Sequence, residues 1–108
     1  MTIDVRFKQK ISGVSAAWVR RVVKKTLAGA RGRGPAQEPV LSVYLTDNKE
    51  IRKINKRFLE HDAATDVVSF GLDRMNGDIV VSAEMAKQMA KKLGIGYREE
   101  LARYLEHG

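Results

Sequence analysis

The sequence predicts an α+β domain: a four-stranded mixed sheet with helices, in the order β-α-β-α-β-β-α-α. Three observations predict it. Four short segments carry apolar residues in alternation or in a continuous run, as strands do, and four others carry them at helical spacing. Two of the strand segments, Val67–Phe70 and Asp78–Val81, are joined by a short stretch ending in Met75-Asn76-Gly77. That makes them a hairpin, so part of the sheet is antiparallel. The 108 residues suit a single domain with one modest core.

Each element has its own local reason. Ile3, Val5 and Phe7 alternate with Asp4 and Arg6, the period of a half-buried strand. Ser12 and Ser15 are candidate caps for the helix that follows. In it Trp18, Val19, Val22, Val23 and Leu27 form the inner face, Arg20, Arg21, Lys24 and Lys25 form one basic stripe, and Gly29 is the stop. Ala30–Pro39 is too rich in Gly and Pro for a regular element and reads as a loop. The run Val40–Leu45 suits a strand buried on both faces. Thr46 or Asp47 caps the next helix, with Glu50 placed as in a capping box and Ile51, Ile54 and Phe58 inward. His61–Ala64 reads as a loop. Ser82 caps a helix with Met85, Ala86, Met89 and Leu93 inward, closed by Gly94. A last helix runs from about Tyr97, with Leu101 and Leu105 inward.

Composition narrows the function classes. There is no Cys, which excludes a disulfide framework and any cysteine metal or nucleophile site. No window supplies the run of about 20 apolar residues that a membrane-spanning helix needs, and the first ten residues lack a signal-peptide core. A cytoplasmic protein without a membrane partner is the expectation. The net charge is +7, and its placement matters more than its size. Residues 1–40 hold nine basic and two acidic side chains, whereas residues 41–108 hold eleven of each. A basic first third points to a polyanion, nucleic acid before anionic membrane. Arg20, Arg21, Lys24 and Lys25 are the candidate phosphate contacts, since Lys and Arg neutralise phosphates without reading sequence.

Few residues could carry chemistry. His107 reads by itself as a last-turn histidine favoured by the helix dipole, and His61 as a solvated loop histidine. Asp62, Asp66 and Asp78 stand at strand or loop edges, where Asp commonly bonds its own backbone. No phosphate-loop pattern occurs, and no Ser/His/Asp arrangement has a recognisable context.

From Leu41 onward three blocks carry a family resemblance. Asn55 and the aromatic Phe58 lead into Thr65-Asp66-Val67-Val68-Ser69-Phe70. Gly77-Asp78-Ile79-Val80-Val81-Ser82 is the second block. Glu100-Leu101 followed by Leu105-Glu106-His107-Gly108 is the third. This pattern closely resembles the YbeY family of bacterial metal-dependent, single-strand-specific endoribonucleases that mature ribosomal RNA. The resemblance implies a zinc ion held by three histidines of an H-G-x-L-H-L-x-G-Y-D-H motif, with RNA, the ribosome and ribosomal proteins as partners. His107 matches the first ligand, and the sequence stops before the other two. Leu59 stands where many members have an arginine.

Two expectations follow from that departure. The chain corresponds to a YbeY-like domain lacking its C-terminal end. By itself it binds zinc poorly and cleaves RNA at no more than background rate, because one imidazole is too small a ligand set. Two alternatives are a non-catalytic RNA- or ribosome-binding module and a metalloprotease-like hydrolase. Gly108 argues against the second, since the H-E-x-x-H protease motif needs its general base there.

Overall fold

A computed structural model of the chain describes residues 2–11, 13–30, 40–60, 63–70 and 76–107, with the side chains at 27–30, 70, 76 and 107 outside the description. The predicted loop at 31–39, the candidate cap Ser12, His61 and Asp62 all fall outside it. The elements are β1 (Thr2–Phe7), α1 (Ala16–Ala30), β2 (Val40–Thr46), α2 (Asn48–Leu59), β3 (Val67–Phe70), β4 (Asn76–Ser82), α3 (Ala83–Leu93) and α4 (Tyr97–His107). The predicted order holds throughout.

The strands lie in the order β1-β2-β4-β3. β1, β2 and β4 run parallel, and β3 pairs antiparallel with β4, which is the expected hairpin. Asn76 and Gly77 belong to β4 rather than to the turn, because their backbones pair with Val40 and Leu41 of β2. Alternation along the strands sends odd and even residues to opposite faces. Ile3, Val43, Leu45, Ile79 and Val81 meet Val19 and Val23 of α1, Ala86 of α3 and Leu101, Tyr104 and Leu105 of α4 in the main core. Trp18 packs against the same cluster, as expected. Tyr44, Val68 and Val80 point the other way, onto Ile51 and Ile54 of α2. Three helices therefore cover one face of the sheet, and α2 packs on the other.

Local signals set most element ends. The Trp18 amide donates to Ser15 Oγ at 3.1 Å, the predicted cap of α1. The helix runs to Ala30, one residue past the predicted stop at Gly29. Ser82 Oγ accepts from the Met85 amide, and Gly94 closes α3 at φ 71° while its N–H donates to the Ala90 carbonyl. α2 ends the same way on Glu60, at φ 56°. A residue with a Cβ is strained there by about 1–2 kcal/mol.

Three expectations are corrected. Leu93 is 51% exposed because α3 leaves the core in its last turn; Ala90 takes the inward position instead. Phe58 is 61% exposed rather than inward, at the end of α2 where Ile51 and Ile54 already occupy the sheet. β2 is not buried on both faces: Val43 and Leu45 are buried, but Ser42 and Tyr44 are half-buried and Val40 is exposed. The short α2 does not reach along the whole strand.

Candidate functional site

The three sequence blocks converge at one edge of the sheet, where the parallel strands end and β3 begins. Asp66 joins the first two of them. Its Oδ1 accepts from the Val67 amide at 2.8 Å and from Thr65 Oγ1 at 3.2 Å. Its carbonyl accepts from the Ser82 amide at 2.9 Å, which joins the first block to the second. α4, which carries the third block, packs against β3, the strand that follows Asp66. On the other side of the same loop, buried Asn55 donates Nδ2–H to the Ala63 carbonyl at 3.0 Å. Asp66 thus does what an Asp at a strand start ordinarily does, bonding its own backbone. That local bond also fixes the loop that ties the blocks together.

α4 carries a second, buried polar pair. Glu100 is 4% exposed. It accepts from Arg103 Nη1 at 2.8 Å and takes the Tyr104 hydroxyl hydrogen bond. Burial first, and then the Glu100 carboxylate, push the Tyr104 phenol up to about 12, so it stays a donor at every physiological pH. Reasoning from the sequence misses Tyr104 as a site residue. Its signal is the spacing: Glu100 and Tyr104 are four apart on one helix and share a face with the core residue Leu101.

The other predicted residues are placed as follows. Ser82 is fully buried; it caps α3 and donates to Asn48 Oδ1 at 2.6 Å. Gly77 is buried opposite Leu41, and Ser69 pairs with Ile79. Phe70 pairs with Asp78 through the backbone. Asp78 is exposed on the face that α2 shares, away from Asp66. Leu59 is 50% exposed and offers no polar group. His107 ends α4; its side chain lies outside the description. Among the described residues no three His, Cys, Asp or Glu side chains come together as a metal-ligand set. The described residues therefore do not by themselves fit a zinc centre.

A polar network binds the starts of α2 and α3 at the same edge. Asp47 Oδ1 accepts from the Glu50 amide at 2.9 Å, the predicted cap, and Asp47 Oδ2 pairs with Lys8 at 2.9 Å. The Glu50 N–H and then the Lys8 ammonium hold the Asp47 carboxyl below its ordinary range. The reciprocal half of the capping box is absent: Glu50 accepts instead from the hydroxyls of Thr46 and Tyr44. Thr46 first, and then Tyr44, lower the Glu50 carboxyl. Asn48 reaches α3 through its amide to Glu84 at 2.9 Å and its Nδ2 to Gln88 at 3.1 Å. A cleft of about 710 Å³ opens here beside Lys8, Lys10, Lys49, Lys87 and Tyr97. Crevices at the carboxyl ends of parallel strands are common ligand sites in α/β sheets.

Charge is distributed differently from the sequence expectation. On α1, Arg20, Arg21, Lys24 and Lys25 are all exposed, and Arg20 also donates Nε–H to the Ile3 carbonyl at 3.1 Å. That helix belongs to the covered face, away from Asn55 and Phe58. α2 holds Lys49, Arg52, Lys53, Lys56 and Arg57 against a single acid, Glu50, and all five cations are exposed. Their spacing makes one continuous basic face. Summing charge over residues 41–108 conceals it, because acids elsewhere in that span cancel it arithmetically.

The protein from Thermotoga maritima known by its solution structure, TM1509, superposes with a TM-score of 0.71 over 99% of this chain and 69% of its own, at 22% identity. That likeness is one of fold. Proteins named Endoribonuclease YbeY from Aquifex aeolicus and Persephonella marina are 40% and 41% identical to it over 63% of this chain. The chain spans about half of each of them, 49% and 50%. The Endoribonuclease YbeY of Elusimicrobium minutum is 34% identical over the whole chain and 80% of its own length. Residues 4–108, which include all three converging blocks, match the family model described as Endoribonuclease YbeY, and the chain belongs to that family.

Proposed function

We propose that this chain acts on single-stranded RNA as part of a metal-dependent endoribonuclease that matures ribosomal RNA in the cytoplasm, in contact with the ribosome and its proteins. The observation that carries the reading is the joining of the first two family blocks at Asp66, with α4 and the third block packed against β3, within a family match that runs from residue 4 to 108. In that role Asp66 and Asn55 hold the loop between α2 and β3. The buried Glu100–Tyr104 pair fixes the last turns of α4 and with them the backbone that presents His107. The cations of α2, and secondarily the α1 stripe, hold the RNA backbone without reading its sequence. The zinc dependence implied by the family resemblance would reach this chain through His107.

A specific observation also favours the binding-module reading: α2 presents a continuous face of exposed cations. One experiment separates the two. Metal content and cleavage of a single-stranded RNA are measured for the 108-residue chain and for a chain extended to complete the histidine motif. The expected result is binding without turnover in the short chain, and metal with cleavage in the long one. His107→Ala in the long chain is expected to abolish both. Stoichiometric metal and metal-dependent cleavage by the short chain would overturn the assignment of His107 as one ligand of an incomplete set.

A further inference from the structure

The face of the sheet that α2 shares is only partly filled. The register aligns Arg6, Tyr44, Val80 and Val68 in one row, and Asp4, Ser42, Asp78 and Phe70 in the next. Ile51 and Ile54 cover the first row around Tyr44 and Val80. Among the described residues nothing covers the second, and a groove of about 770 Å³ remains, edged by Phe58, Arg6, Ser42 and Asp78. Phe58 overhangs it with 61% of its surface exposed. The Arg57 guanidinium lies over the Phe58 ring, 5.4 Å from its centroid.

An exposed aromatic ring beside a line of cations is the arrangement that single-stranded nucleic acid uses, with bases stacked on the ring and phosphates held by Lys and Arg. Lys49, Lys53 and Arg57 follow one another up the outer face of α2, about 12 Å from first to last at 1.5 Å per residue. An apolar protein segment in the same groove would leave Arg6, Ser42 and Asp78 facing it without partners, whereas a nucleobase edge offers both donors and acceptors.

We propose that Phe58 is a base-stacking residue, and that the groove beneath it takes one unpaired nucleobase while Lys53 and Arg57 hold the adjoining phosphates. The proposal rests on the RNA reading above and adds to it a subsite on the opposite face of the sheet from α1.

The test compares a fluorescent oligouridylate with a ribose-phosphate oligomer of equal length that lacks bases, with chelator present, by anisotropy. Three chains are used: the native one, Phe58→Ala and Phe58→Trp. Phe58→Ala is expected to weaken binding of the oligouridylate by about 5- to 150-fold, the usual range for losing one stacked base. It should leave the base-free oligomer unaffected. Phe58→Trp should retain native affinity, and its indole emission should be quenched by the oligouridylate and not by the base-free oligomer. If Phe58→Ala changes neither affinity, or both equally, the stacking role is overturned and the RNA reading stands. If the native chain binds neither oligomer, the RNA reading falls and the subsite with it.

Discussion

α2 and α3 are built by the same local rules and end in different roles. Each leaves the carboxyl end of a parallel strand, each is capped by a side-chain oxygen, Asp47 or Ser82, and each closes on a left-handed residue, Glu60 or Gly94. α3 buries Ala83, Ala86 and Ala90 and lies on the face that α1 and α4 share. α2 buries Ile51 and Asn55, and leaves Phe58, Leu59 and five cations in water. A helix closed in by neighbours contributes mainly to stability; one that covers only part of its sheet face leaves surface for a ligand. The placement of the sheet edge, not the helix itself, decides which.

The comparison breaks most readily at the anchor of α2. Ile51 is fully buried and is the centre of the smaller core. Ile51→Ala is expected to cost about 2–5 kcal/mol in denaturant unfolding. Phe58→Ala, on the same helix, should stay within about 0.5 kcal/mol, as exposed substitutions do. Equal costs would mean that Phe58 belongs to the core after all.

Charge gives the next largest effect. Lys53→Gln with Arg57→Gln is expected to flatten the dependence of log affinity for single-stranded RNA on log salt by about 1.4, at about 0.7 for each phosphate no longer neutralised. Changing Arg21, Lys24 and Lys25 of α1 together should alter the slope less, because that stripe lies on the other face from Asn55 and Phe58. A larger effect at α1 would move the principal RNA-binding surface to the covered side.

The two N-caps sharpen the comparison through pH. Asp47→Ala and Ser82→Ala should each cost about 1 kcal/mol near neutrality, within the range of about 0.5–2 kcal/mol for caps. They should part in acid. The Asp47 carboxyl is lowered by the Glu50 N–H and by Lys8, so its contribution is present above the ordinary carboxyl value of 3.8. It is lost as pH falls through the lower folded value. The Asp47→Ala penalty should shrink toward about pH 3, whereas the Ser82→Ala penalty should not, since a hydroxyl has no charge to lose. Melting temperatures across about pH 3–7 check both.

Much of this molecule is legible in the linear order of residues. The strands, helices, hairpin and caps at Ser15, Asp47, Ser82 and Gly94 follow from spacing and from side chains that bond the backbone a few positions away. The family blocks are legible too, because their residues stand in order at fixed intervals. Glu50 shows where local reading stops: the capping-box spacing is present, but two hydroxyls from β2 take its carboxylate instead.

The sequence by itself therefore determined the elements and the family pattern, since each depends on neighbours within a turn or a strand. Only the tertiary structure decided that β4 would lie between β2 and β3. That order brings Asp66 beside Ser82, and sets Asn48 against Gln88, 40 residues away. It also decided that α2, and not α1, would hold an exposed phenylalanine over a partly open sheet face while carrying its cations on the outer side of the same helix. Such pairings rest on strand register and on which helix covers which side, and a charge sum taken along the chain contains neither.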